Sequence, residues 1–162
     1  MFKIEYALLT FFEKAKKVKG RKTLQKTIYL LQSYGVPFDL NYIYQYYGPY
    51  SAELQIEVDN LIKQRLLKET IKGDMYVYEI TKKGKEFLKT YRKFIKPDFE
   101  LPIDLLKELL AKNPQALEVA STYVYLLELG YSLEKAEKIT RELKEHLMLF
   151  FEEAKNIILL IL

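Results

Sequence analysis

The chain of 162 residues is poor in the side chains that carry reaction chemistry. It has one histidine, His146, and no cysteine. Thiol nucleophiles, thiolate metal sites and disulfides are therefore excluded. A transition-metal site around His146 would need carboxylates alone beside it, a disfavoured donor set. No glycine-rich phosphate loop, G-x-S-x-G elbow or histidine-based triad occurs. Glu53 and Glu57 form a carboxylate pair, but nothing near them in sequence indicates a pocket that would raise either pKa. The chain is expected to have no catalytic residue, no metal and no cofactor.

Recognition chemistry is better represented. Within residues 51–65, Glu53, Glu57, Asn60 and Gln64 recur at i, i+4, i+7 and i+11, one outward stripe of a helix. The amides of Asn60 and Gln64 match the edge of adenine, and a glutamate can accept from cytosine. The two glutamates and Asp59 oppose a polyanion, since phosphate attraction supplies most non-specific affinity. Lysines elsewhere compensate. Lys82, Lys85, Lys89, Arg92, Lys93 and Lys96 share the outer side of one later segment, Lys72 lies at a turn, and residues 14–26, with Lys22 and Lys26, form a second basic region. Phosphate contact and plain solvation weigh evenly for these lysines. Tyr42, Tyr44, Tyr46, Tyr47 and Tyr50 could stack on bases or anchor a protein. Packing of the rings, with each hydroxyl on water or backbone, is the preferred reading.

The elements that must position these residues are legible from periodicity and caps. Ile4, Leu8, Phe11, Phe12, Ala15 and Val18 predict an amphipathic helix over residues 2–18, broken by Gly20. Leu24, Ile28 and Leu31 mark the inner face of a second helix, ended by Gly35 and Pro37, with Lys22, Lys26 and Tyr29 on its outer side. Tyr42, Tyr44 and Tyr46 alternate as in a short extended segment. Gly48-Pro49 signals a turn, and Ser51 caps the helix that carries the stripe. Residues 66–71 and 75–80 are β-prone runs joined by Lys72-Gly73-Asp74. Thr81 caps the lysine-rich helix, and Gly84 suits close approach to the preceding helix. A boundary is expected at Lys96-Pro97-Asp98. Helices are then expected from Pro102 to Leu110, after Asn113-Pro114, after Ser132, and over residues 147–162. Residues 116–129 are apolar nearly all round and should be buried. The last segment is too apolar for a free surface helix and should pack on the first helix or on a second copy.

Helix, hairpin and helix in this order resemble the wing and following helix of winged-helix regulators. More narrowly, GRKTLQKTIYLLQSYGVPF (residues 20–38), YYGPYSAEL (46–54) and LEVASTYVYLLELGYSLEKAEKITRELK (117–144) are similar to the YwgA-like group of small archaeal and bacterial proteins. That group is related to the Panacea-type, SocA-like antitoxin domain. The chain departs from it at Glu145-His146, where the group often has proline. The resemblance implies a fold more firmly than a role.

The expected fold class is mainly α with a small β-hairpin. It would comprise a winged helix-turn-helix domain over residues 1–97 and an α-helical extension over 98–162, for dimerisation or packing. Residues 1–98 hold 19 Lys/Arg against 11 Asp/Glu, while residues 99–162 hold 7 against 11, which suggests separate jobs for the two parts. The first functional expectation is a cytoplasmic, homodimeric DNA-binding regulator. It would use Asn60 and Gln64 on bases, and Lys22, Lys26, Ser51, Lys72, Lys82, Lys85 and Lys89 on the duplex. The alternative is a protein-interaction module that meets its partner through Tyr46, Tyr50, Glu53 and Glu57. No leader pattern or membrane-spanning run is present.

Overall fold

The computed structural model describes residues 3–95 and 99–162. Helix α1 (Lys3–Ala15) leads through Lys16, whose φ of 67° is left-handed, into the short strand β1 (Lys17–Lys19). Residues 16–18 therefore do not continue the first helix, as their spacing had suggested. Lys17 and Lys19 are exposed while Val18 is buried, the two-residue alternation of a strand. Phe2 and the expected boundary at residues 96–98 lie outside the described residues.

Helix α2 (Arg21–Tyr34) precedes a hairpin of β2 (Ile43–Gln45) and β3 (Gly48–Tyr50). The tyrosine segment is extended as expected, but Gly48-Pro49 is strand and not turn. The turn is Tyr46-Tyr47, and Gln45 pairs with Gly48. Helix α3 (Ala52–Lys63) follows at once, started by the Ser51 hydroxyl, which accepts from the Leu54 N–H at 3.0 Å. It ends with Arg65 left-handed at φ 62° and the Leu66 N–H returned to the Leu61 carbonyl.

Strands β4 (Leu67–Lys72) and β5 (Met75–Ile80) form the expected hairpin. Gly73, with φ 62°, takes the first central position of its two-residue turn, where a primed turn needs glycine. Strand β5 also pairs antiparallel with β1, so the sheet order is β1-β5-β4. Helix α4 (Lys82–Phe94) starts at Thr81, whose hydroxyl accepts from the Gly84 N–H and donates to the Arg65 carbonyl. Gly84 permits contact with the chain just after α3: a Cβ there would stand 2.3 Å from the Leu66 carbonyl oxygen.

Helices α5 (Ile103–Leu110), α6 (Pro114–Glu128) and α7 (Leu133–Leu143) follow. A 3-10 segment (Glu145–Phe150) and α8 (Phe151–Ile161) complete the chain. The caps at Asn113 and Ser132 are present. The single helix expected over residues 147–162 is instead a 3-10 segment leading into a shorter α-helix. Helix α6 is buried along most of its length, as its apolar composition required. It packs on α2, β3, α7 and α8. Helix α8 lies on α6 and also touches α2; of the two expected surfaces, the first helix and a second copy, α6 takes the place of the first helix. One apolar core runs from Leu8, Phe11 and Phe12 through Leu24, Ile28 and Leu54 to Leu117, Val119 and Ile157. Among the described residues no helix is long and apolar enough to cross a membrane.

Gly84→Ala is expected to lower stability by about 1–3 kcal/mol, the usual range for overpacking against atoms that cannot move aside. Urea unfolding measures this; an unchanged midpoint would mean that the Leu66 carbonyl is free to yield.

Candidate functional site

A helix buried on nearly every side has no free face for polar residues, so each must find a partner. Helix α2 carries Lys22, Gln25, Lys26 and Tyr29 beneath β3 and α6, although periodicity had placed the lysines and the tyrosine outside. The outward face is hidden because the C-terminal helices cover it.

Each of these residues is bound to a specific segment. The Gln25 side chain grips the Ser51 peptide twice: its Nε2 donates to the Ser51 carbonyl and its Oε1 accepts the Ser51 N–H, both at 2.9 Å. Lys26, 2% exposed, donates to the Pro49 carbonyl at 2.7 Å. Lys22 donates to Glu118 Oε1 at 2.7 Å. The other Glu118 oxygen meets Lys144 at 2.8 Å, and Lys144 also donates to the Tyr46 carbonyl at 2.9 Å. At the far end of the helix, the Tyr29 hydroxyl donates to the Glu128 carboxylate. The LQK and GPYS motifs are thus two halves of one junction, closed by Glu118 and Lys144 from the C-terminal part.

Gly48 belongs to the same junction. Its φ is 97°, and a Cβ there would stand 3.0 Å from the Thr122 hydroxyl of α6. Glycine is required on both counts.

The electrostatics are unbalanced. Burial pushes the Lys26 ammonium down to about 7; Glu118 opposes this shift, while Lys144 and Lys22 add to it. Burial pushes the Glu118 carboxyl up, but the Lys144 and Lys22 ammoniums outweigh it and hold the group below the ordinary range. Arg21, at the exposed start of α2, lies 3.7 Å over the Tyr76 ring and donates to the Tyr78 hydroxyl at 3.4 Å. Lys22 also lies 4.8 Å from the Tyr47 ring. Arg21, Lys22, Gln25, Lys26, Tyr47 and Tyr50 line one cavity of about 270 Å³.

The chain is 30% identical to "Uncharacterized protein YwgA" of Bacillus subtilis (strain 168), over 97% of its own length and 99% of that protein's. The chain belongs to the YwgA family. No family model matches it. The residues that carried the YwgA-like resemblance are those that build this junction.

Other candidate residues scatter over this YwgA-family chain. Lys26 and Ser51 are buried and committed to the junction, so neither is free to meet a duplex. Lys22 is half-buried and paired. Asn60, Gln64, Lys72, Lys82, Lys85 and Lys89 are exposed. Lys85 joins Lys16, Lys17 and Lys19 around a broad concavity of about 820 Å³, with Glu13 and Glu79 among them. Tyr46 is 79% exposed and Tyr50 half-buried. Glu53 and Glu57 form an acidic patch with Glu5: burial raises the Glu57 carboxyl, and Glu5 and Glu53 add to the shift. Glu53 also accepts the Asn41 N–H. Glu118, Lys144 and Gln25 were not singled out from sequence. The two carboxylates in the apolar run of residues 116–129, Glu118 and Glu128, are the available signal, because a buried charge demands a partner.

Lys26 makes stability depend on pH in a definite direction. Its folded pKa lies below its unfolded value of 10.5. Between about 7 and 10.5 the unfolded state binds the extra proton, so stability rises with pH across that window. Tyr78, raised to about 12 by burial, acts the opposite way only above its ordinary value of 10. Urea midpoints should therefore climb from pH 7 to about pH 9, and Lys26→Met should flatten the climb. Parallel curves for the two proteins would refute the assignment.

Proposed function

We propose that this YwgA-family protein is a non-enzymatic, duplex-binding winged-helix protein that holds DNA mainly by its phosphates, as a cytoplasmic transcriptional regulator does. The observation that carries this reading is the strand order β1-β5-β4, with α2 and α3 between β1 and β4 and an exposed hairpin turn at Gly73. That is the connectivity in which the helix before the wing can enter a groove. A second support is charge. Among the described residues, Lys16, Lys17, Lys19, Lys72, Lys82, Lys85 and Lys89 have no carboxylate within ion-pair distance. The stripe on α3 contributes little attraction, since Glu53 and Asp59 stand beside Asn60 and Gln64. Backbone contact is accordingly assigned to the lysines and a limited base-reading role to Asn60 and Gln64.

This reading predicts a gel shift of duplex DNA at low salt that weakens steeply as salt rises. Lys17→Glu combined with Lys85→Glu should weaken binding about tenfold or more and reduce the log–log salt slope by about 2. Absence of any shift at low salt would end the proposal. The second reading, a protein-interaction module, is favoured by the Glu5, Glu53 and Glu57 patch beside Ile56, which is 59% exposed. Under it, Glu53→Lys with Glu57→Lys would release a co-purifying partner, whereas under the first the same change would strengthen DNA binding.

Assembly as a homodimer is part of the proposal. Helix α8 buries Phe151, Ala154 and Ile157 but leaves Leu159 75% and Leu162 69% exposed. With Leu133 and Tyr123 they line an apolar groove of about 350 Å³. Leu159→Glu with Leu162→Glu should convert a dimer to a monomer in light scattering without unfolding it. A monomeric mass for the unaltered chain would remove this element.

A further inference from the structure

The cavity between the start of α2 and the β2–β3 turn has a composition that a DNA backbone does not explain. Its cations are Arg21, Lys22 and Lys26, with Lys144 just behind. The carboxylates that act on them are Glu118 and Glu69. Both Glu118 oxygens are occupied, one by Lys22 and one by Lys144. Glu69 lies near the Tyr78 hydroxyl, on which Arg21 also rests, and its Oε2 is buried without a hydrogen-bond partner among the described residues. Among the described residues Lys26 donates one hydrogen bond, to the neutral Pro49 carbonyl, although an ammonium has three donors. Four cations thus share two carboxylates, and two of those cations, Lys26 and Lys144, are almost wholly buried. Uncompensated buried charge is costly, and an oxyanion in the cavity would balance it.

The remaining lining is aromatic. Tyr47 is 57% exposed although it stands at the cavity's edge, and Tyr50 is half-buried beside it. Lys26, Lys144 and Gln25 hold this stretch through its backbone, and the Tyr47 ring adds a contact with Lys22 at 4.8 Å. Exposed rings next to cations that outnumber their carboxylates suit a planar ligand that bears an anionic group. A duplex presents phosphates but keeps its rings stacked, so a free small molecule fits this lining better.

We propose that the cavity binds a small ligand of the mononucleotide class, its phosphate at Arg21 and Lys22, above the buried Lys26, and its ring against Tyr47 and Tyr50. This goes beyond the DNA-binding reading and does not depend on it. Bound there, the ligand would bridge α2 to the hairpin that launches α3, so its occupancy would stiffen the start of α3.

Titration of the full chain with adenosine monophosphate, followed by amide NMR, tests the proposal, with adenosine and inorganic phosphate as separate probes. Saturable shifts at Tyr47, Gly48 and the first turn of α2 are expected, with affinity for the monophosphate at least about tenfold above that for either half. Tyr47→Ala and Arg21→Gln should each weaken binding about tenfold while leaving the urea midpoint nearly unchanged. Lys17→Glu with Lys85→Glu should leave nucleotide affinity as it was, which separates this site from the duplex-binding surface. No saturable shift with the monophosphate, or equal affinity for inorganic phosphate, would overturn the proposal.

Discussion

The buried junction on α2 is the constraint on which the rest of this structure depends. Glu118, Lys22 and Lys144 come from three segments far apart in sequence, and none of the buried charges is tolerable alone. Gln25 and Lys26 meanwhile bind the backbone of residues 49–51, the point at which α3 begins. The start of α3 is therefore set by side chains of α2, and those side chains are in turn held under α6. The N-terminal and C-terminal parts share one core and one polar knot.

This arrangement gives the sharp charge difference between the two parts a physical sense. The acidic part supplies the carboxylate that two lysines of the chain require, and it covers the polar side of α2. Among the described residues, Lys17, Lys19, Lys72, Lys82, Lys85 and Lys89, on β1, at the end of β4 and on α4, have no carboxylate within ion-pair distance. What looks in sequence like one continuous basic region at residues 14–26 divides in space. Lys16, Lys17 and Lys19 stay in solvent, while Lys22 is half-buried and Lys26 fully so.

Much of the fold was legible because its signals are local. Ser51, Thr81, Asn113 and Ser132 each cap the helix that begins beside them, since a cap is a bond between near neighbours. Gly73 marks its hairpin for an equally local reason. Strand β1 escaped notice because three residues cannot establish a period against a long helical pattern, and their pairing partner β5 lies almost 60 residues away. The burial of Lys26 and Ser51 has no local signal, because the segments that cover them are remote in sequence.

Composition and spacing alone determined that this is a cysteine-free, mainly helical chain with a capped helix, a hairpin and a second capped helix in its centre. Those properties follow from residue identity, periodicity and bonds between neighbours. Tertiary structure decided which lysines are buried, which strand joins β5, and which carboxylate meets which ammonium. Burial is conferred by segments that pack from elsewhere in the chain, and a charge shows whether it belongs to the fold or to a ligand only once its surroundings are assembled.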